Sequence, residues 1–132
     1  MSLVELALDI RRNSYAPYSG YRVGAALEDE QGRLWTGVNV ENVSYGASLC
    51  AERVAVTKMV SEGGRWVRRI AVATEDGGTP CGMCLQVLSE FSEPGASIQI
   101  EVLANKTGNV KNYRLEDLFP AGFSSSEVHR TL

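Results

Sequence analysis

The sequence predicts an α/β domain, a mixed β-sheet covered by helices, and three observations carry that expectation. Apolar residues recur at helical spacing in three separated segments, apolar runs of strand length lie between them, and two of those runs flank a tight turn. At 132 residues, 44% apolar and 22% charged, the chain has the size and composition of one globular domain, residues 1–132.

Leu3, Leu6, Ala7 and Ile10 mark an opening amphipathic helix, which Pro17 should stop. Residues 23–27 and 34–40 flank the turn-forming Asp29-Glu30-Gln31-Gly32, so they read as a hairpin of half- to fully buried strands. Residues 50–62 favour helix, with Val54, Ala55, Val56 and Met59 as the apolar face and Gly63-Gly64 ending it. A buried strand follows at 67–74. Pro80 introduces a second core helix at 81–91, with Met83, Val87, Leu88 and Phe91 on one stripe. Residues 98–103 give another strand, residues 105–109 a turn, and residues 110–114 a fifth strand before a helical turn at 115–118. The order is αββαβαββα, without repeat or linker.

Thirteen basic against sixteen acidic side chains give a net charge of −3, the wrong sign for a polynucleotide partner. The basic group Arg65, Arg68 and Arg69 reads as a solvated loop entering a strand. No uninterrupted apolar run exceeds the four residues Ile70-Ala71-Val72-Ala73, whereas a membrane span needs about 20 and a signal core roughly 7–15. Polar residues follow Arg11-Arg12 where a twin-arginine leader would turn apolar, so a cytoplasmic protein without membrane partner is expected.

Cys50, Cys81 and Cys84 form an odd, sparse set that points to thiol chemistry or metal binding, not to a disulfide framework. The only histidine, His129, lies in a motif-free tail, which argues against a Ser-His or Cys-His nucleophile. Cys81-Gly82-Met83-Cys84 puts two thiols on one face of a helix start, where free N–H groups favour thiolate. Alone, that pair also reads as a thioredoxin-type redox site or as incidental. Cys50-Ala51-Glu52-Arg53 opens a second helix and offers a third sulfur. Three ligands leave one tetrahedral position of Zn²⁺ for water, the pattern of a catalytic site. Glu52 is then placed to act as general base and acid, and Arg53, one helical turn after Cys50, to offset thiolate charge; otherwise each is a surface residue.

Together, Pro17-Tyr18-Ser19 with Val23-Gly24-Ala25-Ala26, Asn39-Val40-Glu41-Asn42, Cys50-Ala51-Glu52-Arg53, Pro80-Cys81-Gly82-Met83-Cys84-Leu85-Gln86 and Leu118-Phe119-Pro120 with Phe123 resemble the small, homotetrameric, three-cysteine cytidine deaminases. The resemblance runs from Tyr15 to Phe123. It implies a three-layer αβα sandwich with a five-stranded mixed sheet, Zn²⁺ on Cys50, Cys81 and Cys84, and Glu52 as proton shuttle. The implied reaction is hydrolysis of cytidine or deoxycytidine to uridine or deoxyuridine and ammonia in pyrimidine salvage. Asn39 and Glu41 match a ribose-binding pair, and on an extended strand end they would point to the same side. Tyr21 stands where a phenylalanine near the base is usual, and Phe123 where an aromatic reaches a neighbouring subunit's site; each otherwise reads as core. Leu85 replaces the usual arginine after the last cysteine. These departures keep open the deamination of another aminated nucleoside, or a zinc-stabilised nucleoside-binding protein that does no chemistry.

Overall fold

Residues 1–125 are described by the computed structural model; His129 lies outside them. A capping box opens helix α1 (Leu3–Ile10): the Ser2 hydroxyl accepts from the Glu5 N–H, and the Glu5 carboxylate accepts from the Ser2 N–H. There follow β1 (Gly24–Asp29), β2 (Leu34–Val38), α2 (Ala51–Ser61), β3 (Val67–Thr74), α3 (Gly82–Glu90), β4 (Gln99–Ala104), β5 (Val110–Arg114) and α4 (Leu115–Leu118). The sheet order is β2-β1-β3-β4-β5. Only β3 and β4 are parallel, and α3 makes the crossover they require.

Strand alternation sorts the core into two layers. Ala25, Leu27, Ile70 and Val72 pack with Ala55, Val56 and Met59 of α2 and Leu85 and Leu88 of α3. Ala26, Ala71 and Ala73 face the other way, under Leu3 and Ala7 of α1. The result is an αβα sandwich around a five-stranded mixed sheet. Small residues dominate the α1 side because the helix lies close: a Cβ on Gly24 would sit 2.1 Å from the Ala7 carbonyl oxygen.

Three sequence expectations need correction. Pro17 does not stop α1; the helix ends at Ile10, residues Arg11–Asn13 tighten into a 3₁₀ turn, and Ser14 turns extended so that Tyr15 can bridge to Val40. Met83 is not on the buried stripe of α3 but 62% exposed; Leu88 is buried as expected, and Cys84 and Leu85 are buried with it. The hairpin is shifted, with β1 running on to Asp29 and β2 stopping at Val38.

Asp29 organises the turn end of the hairpin. Its buried carboxylate accepts from the Gln31 and Arg33 backbone N–H groups at 2.8 and 2.9 Å, and from Arg33 Nε and Trp35 Nε1 at 2.9 Å each. Burial pushes its pKa up, but the four donors outweigh it and hold the carboxyl below the usual range.

Because β1 is antiparallel to both neighbours, Gly24 pairs with Val38 and with Ala73. The start of β1 and the ends of β2 and β3 therefore share one sheet edge. Tyr21, Asn39 and Thr74 gather there, beside the starts of α2 and α3, the edge where α/β sheets place ligands. Among the described residues, no helix is long and apolar enough to cross a membrane.

Candidate metal centre and adjoining cavity

Cys50 is the N-cap of α2 and Cys81 the N-cap of α3, both in extended backbone and neither capping its helix with its sulfur. Cys84 sits in the first turn of α3, fully buried. The three Sγ atoms lie within 4.8 Å of one another, and Cys50 Sγ is 3.7 Å from Cys81 Sγ. Arg53 Nη2 donates to Cys50 Sγ at 3.8 Å and to the Ser48 carbonyl at 3.4 Å.

Thiols this close oppose one another's ionisation. Donation from Cys84, opposed by burial and aided by Arg53 and Cys81, pulls the Cys50 thiol down to about 5. The same bond to Cys50, with burial, pushes the Cys84 thiol up. A divalent cation removes that conflict by letting all three sulfurs ionise, and an all-sulfur donor set suits Zn²⁺. The residues present fit the metal.

A cavity of about 470 Å³ adjoins the sulfurs and is lined by Tyr21, Asn39 and Glu41 as well as Cys50, Glu52, Arg53 and Cys81. Glu52 is 5% exposed, and burial, with the Cys50 charge adding to it, pushes its carboxyl up to about 7. A carboxyl poised there can both take and give a proton near neutral pH.

Asn39 is a structural hub. Its Oδ1 accepts from the Ser14 hydroxyl and the Val23 N–H, and its Nδ2 donates to the Tyr21 carbonyl at 2.7 Å. Glu41 accepts from the Tyr18 and Ser19 N–H groups and the Ser19 hydroxyl, whose bond is the chief cause of its lowered pKa. A carboxylate offers about four acceptor directions and an amide two donors. Among the described residues, Asn39 thus retains one N–H and Glu41 one lone-pair direction.

Phe123 does not line the cavity of its own chain. It is 58% exposed, and its carbonyl accepts from Gln86 Nε2 at 2.8 Å. Leu85 is 7% exposed within the core, so its place after Cys84 is a packing position and faces neither the cavity nor open solvent. Sequence reading missed Thr74, Gly78 and Thr79, which line the cavity between β3 and Cys81. A polar residue ending the apolar run at 67–74, just ahead of a cysteine motif, was the available signal.

An αβα sandwich that pools three cysteines from two helix starts beside a buried carboxylate defines a thiolate metal-site domain of the α/β class. The profile of the cytidine and deoxycytidylate deaminase zinc-binding region matches residues 1–98, and a cytidine deaminase of Halalkalibacterium halodurans is 37% identical over 96% of each chain. The chain belongs to the cytidine and deoxycytidylate deaminase family. A cytidine deaminase of Mycobacterium tuberculosis is 42% identical over 89% of this chain and 84% of its own. The crystal structure of cytidine deaminase from Burkholderia pseudomallei superposes with a TM-score of 0.85 at 38% identity, covering 93% of this chain and all of that one.

Proposed function

We propose that this protein is a zinc-dependent cytidine deaminase: cytidine or deoxycytidine and water give uridine or deoxyuridine and ammonia. One observation carries the reading, the buried Glu52 carboxyl beside three clustered thiols in a cavity of about 470 Å³. Cys50, Cys81 and Cys84 would hold the metal, which supplies Lewis-acid activation of water when bound. Glu52 takes one proton as water adds to C4 of the ring and delivers it to N3, then takes the second from the new C4 hydroxyl and hands it to the departing amine. Arg53, donating to Cys50, offsets part of the charge of three thiolates.

Substrate binding falls to the other wall. The spare N–H of Asn39 and the spare acceptor direction of Glu41 suit a sugar hydroxyl pair, each hydroxyl being donor and acceptor at once. Tyr21 offers its ring to the base. The assembly we propose is a homotetramer in which Phe123 completes a neighbour's cavity. Its exposure supports this, as do Val43 and Tyr45, which are 78% and 76% exposed. We place the protein in the cytoplasm, where three thiols stay reduced, and in pyrimidine salvage.

Zinc content per purified chain, measured together with loss of cytidine absorbance, tests the reading. One zinc and steady conversion to uridine are expected. Full zinc with deamination of some other aminated nucleoside and none of cytidine would overturn the substrate, and no deamination at all would leave a nucleoside-binding protein.

A further inference from the structure

Residues 75–80 link β3 to the N-cap Cys81 and form part of the cavity wall through Gly78 and Thr79. The turn is held by Thr74, the last residue of β3, and by Asp76. Thr74 Oγ1 accepts from the Gly77 and Gly78 N–H groups at 2.7 and 3.1 Å, and Asp76 Oδ1 accepts from the Gly78 N–H at 3.2 Å. Two bonds tie it to the strap between α1 and β1. Arg11 pairs with Glu75 at 3.3 Å, and the Tyr21 hydroxyl donates to Asp76 Oδ1 at 2.6 Å.

The Tyr21 bond is the one made from inside the cavity. A Cβ on Gly78 would stand only 2.8 Å from the Tyr21 hydroxyl, so the ring tip is seated against the turn's backbone. At its other end, the Tyr21 carbonyl is held by Asn39 Nδ2, and Asn39 in turn by Ser14 and Val23. A continuous path of hydrogen bonds thus runs from the sugar-side residue Asn39, through Tyr21 and Asp76, to the segment that presents Cys81.

We propose that Tyr21 is a positioning residue: its hydroxyl latches Asp76 and so fixes the 75–80 turn that delivers Cys81 to the metal and Thr79 to the substrate. The proposal rests on the metal-site reading above for the role of Cys81, but not on the identity of the substrate. The hydroxyl's one proton goes to Asp76, so it acts through the turn and has no donor left for the ligand.

The test uses zinc-loaded enzyme and follows zinc transfer to a chromogenic chelator, alongside KM and kcat for cytidine. Tyr21→Phe keeps the ring and removes the latch. It should speed zinc transfer about threefold to tenfold, the range carried by one net hydrogen bond. Asp76→Ala should speed it at least as much, and the double variant should be no faster than Asp76→Ala alone, because both remove one interaction. Unchanged zinc transfer in Tyr21→Phe, or fully additive effects in the double variant, would overturn the latch. A raised KM in Tyr21→Phe with Asp76→Ala silent would instead put the hydroxyl on the substrate and overturn it too. Zinc transfer is read without turnover, so a protein that deaminates nothing would refute the proposed function and leave this measurement intact.

Discussion

Replacing Glu52 by glutamine should separate binding from catalysis. Glutamine has the same shape and hydrogen-bonding reach but cannot take up and release a proton, so the loss depends on whether another group in the cavity can stand in. Glu41, the other carboxyl lining it, is held ionised by Ser19 and the Tyr18 N–H, and its pKa is lowered. The Tyr21 hydroxyl is bound to Asp76, and burial pushes its pKa up. Arg53 stays a cation, hydrogen-bonded to Cys50. With no substitute, Glu52→Gln should lose the full effect of general acid–base help, roughly 10²–10⁴-fold in kcat, or about 3–5 kcal/mol of barrier. Zinc content and calorimetric nucleoside affinity should stay within a few-fold of the parent. Glu52→Asp, which keeps the carboxyl but withdraws it by one methylene, should fall between the two. Turnover within tenfold of the parent in zinc-loaded Glu52→Gln would assign the proton transfers to another group and refute this reasoning.

Three further outcomes are expected. Cys81→Ala should lose its zinc, and because metal binding is folding free energy, about 2.7 kcal/mol at a hundredfold excess over Kd, its Tm should drop by roughly 10 °C; metal analysis and a thermal melt read both, and a full zinc complement would remove Cys81 from the ligand set. Free cytosine should be a far poorer substrate than cytidine if Asn39 and Glu41 grip the sugar, since sugar binding energy positions the ring; equal kcat/KM values would return both residues to purely structural roles. Asp29→Asn should cost about 2–4 kcal/mol at pH 7 by turning an amide against the Arg33 and Trp35 donors. The Asp29 carboxyl has a lowered folded pKa, so its stabilisation is present above the ordinary Asp value of about 3.9 and is lost as pH falls through the folded value. The gap in urea midpoint between parent and variant should therefore narrow in acid, and an unchanged gap near pH 2 would mean that geometry, not charge, makes Asp29 matter.

The elements were legible because their signals are local. Apolar period and glycine stops placed α2 and β3 nearly to the residue: Gly63, at a φ of +91°, ends α2 as the sequence implies. Errors came where a residue's partner is distant in sequence. Pro17 looked like a helix stop because it is the first breaker after Ile10, yet the chain leaves α1 earlier to pair Tyr15 with Val40, which no local pattern announces. The stripe on α3 was misread for a different reason. Cys84 was counted as a ligand only, but a free cysteine is also a small apolar side chain. Counting it as core adds Cys84 and Leu85 to a face that keeps Leu88, with Val87 and Phe91 packed at its edge, and turns Met83 outward. On the site itself, motif spacing brought Cys50, Glu52, Arg53, Cys81 and Cys84 into view, whereas Thr74 and Asp76 belong to no motif and are visible only once the sheet edge is assembled.

The two helix starts carry a tension that the sequence does not resolve by itself. N-cap positions favour Ser, Thr, Asp or Asn, whose oxygen satisfies a free N–H, and losing such a cap costs about 1 kcal/mol. Here both α2 and α3 begin on a cysteine that makes no capping bond. The third sulfur, Cys84, packs well as a neutral thiol, but Cys50 and its burial oppose its ionisation. Taken as caps alone, the two helix starts are poor solutions. They become consistent when the helix starts are taken as electrostatic devices: the free N–H groups and the positive end of each helix dipole favour negative sulfur, and so does the Arg53 guanidinium beside Cys50. What a serine cap would contribute to the isolated fold is exchanged for a cluster of three sulfurs that fits one cation. The stability of this protein should therefore depend on its metal more than its well-filled two-layer core suggests.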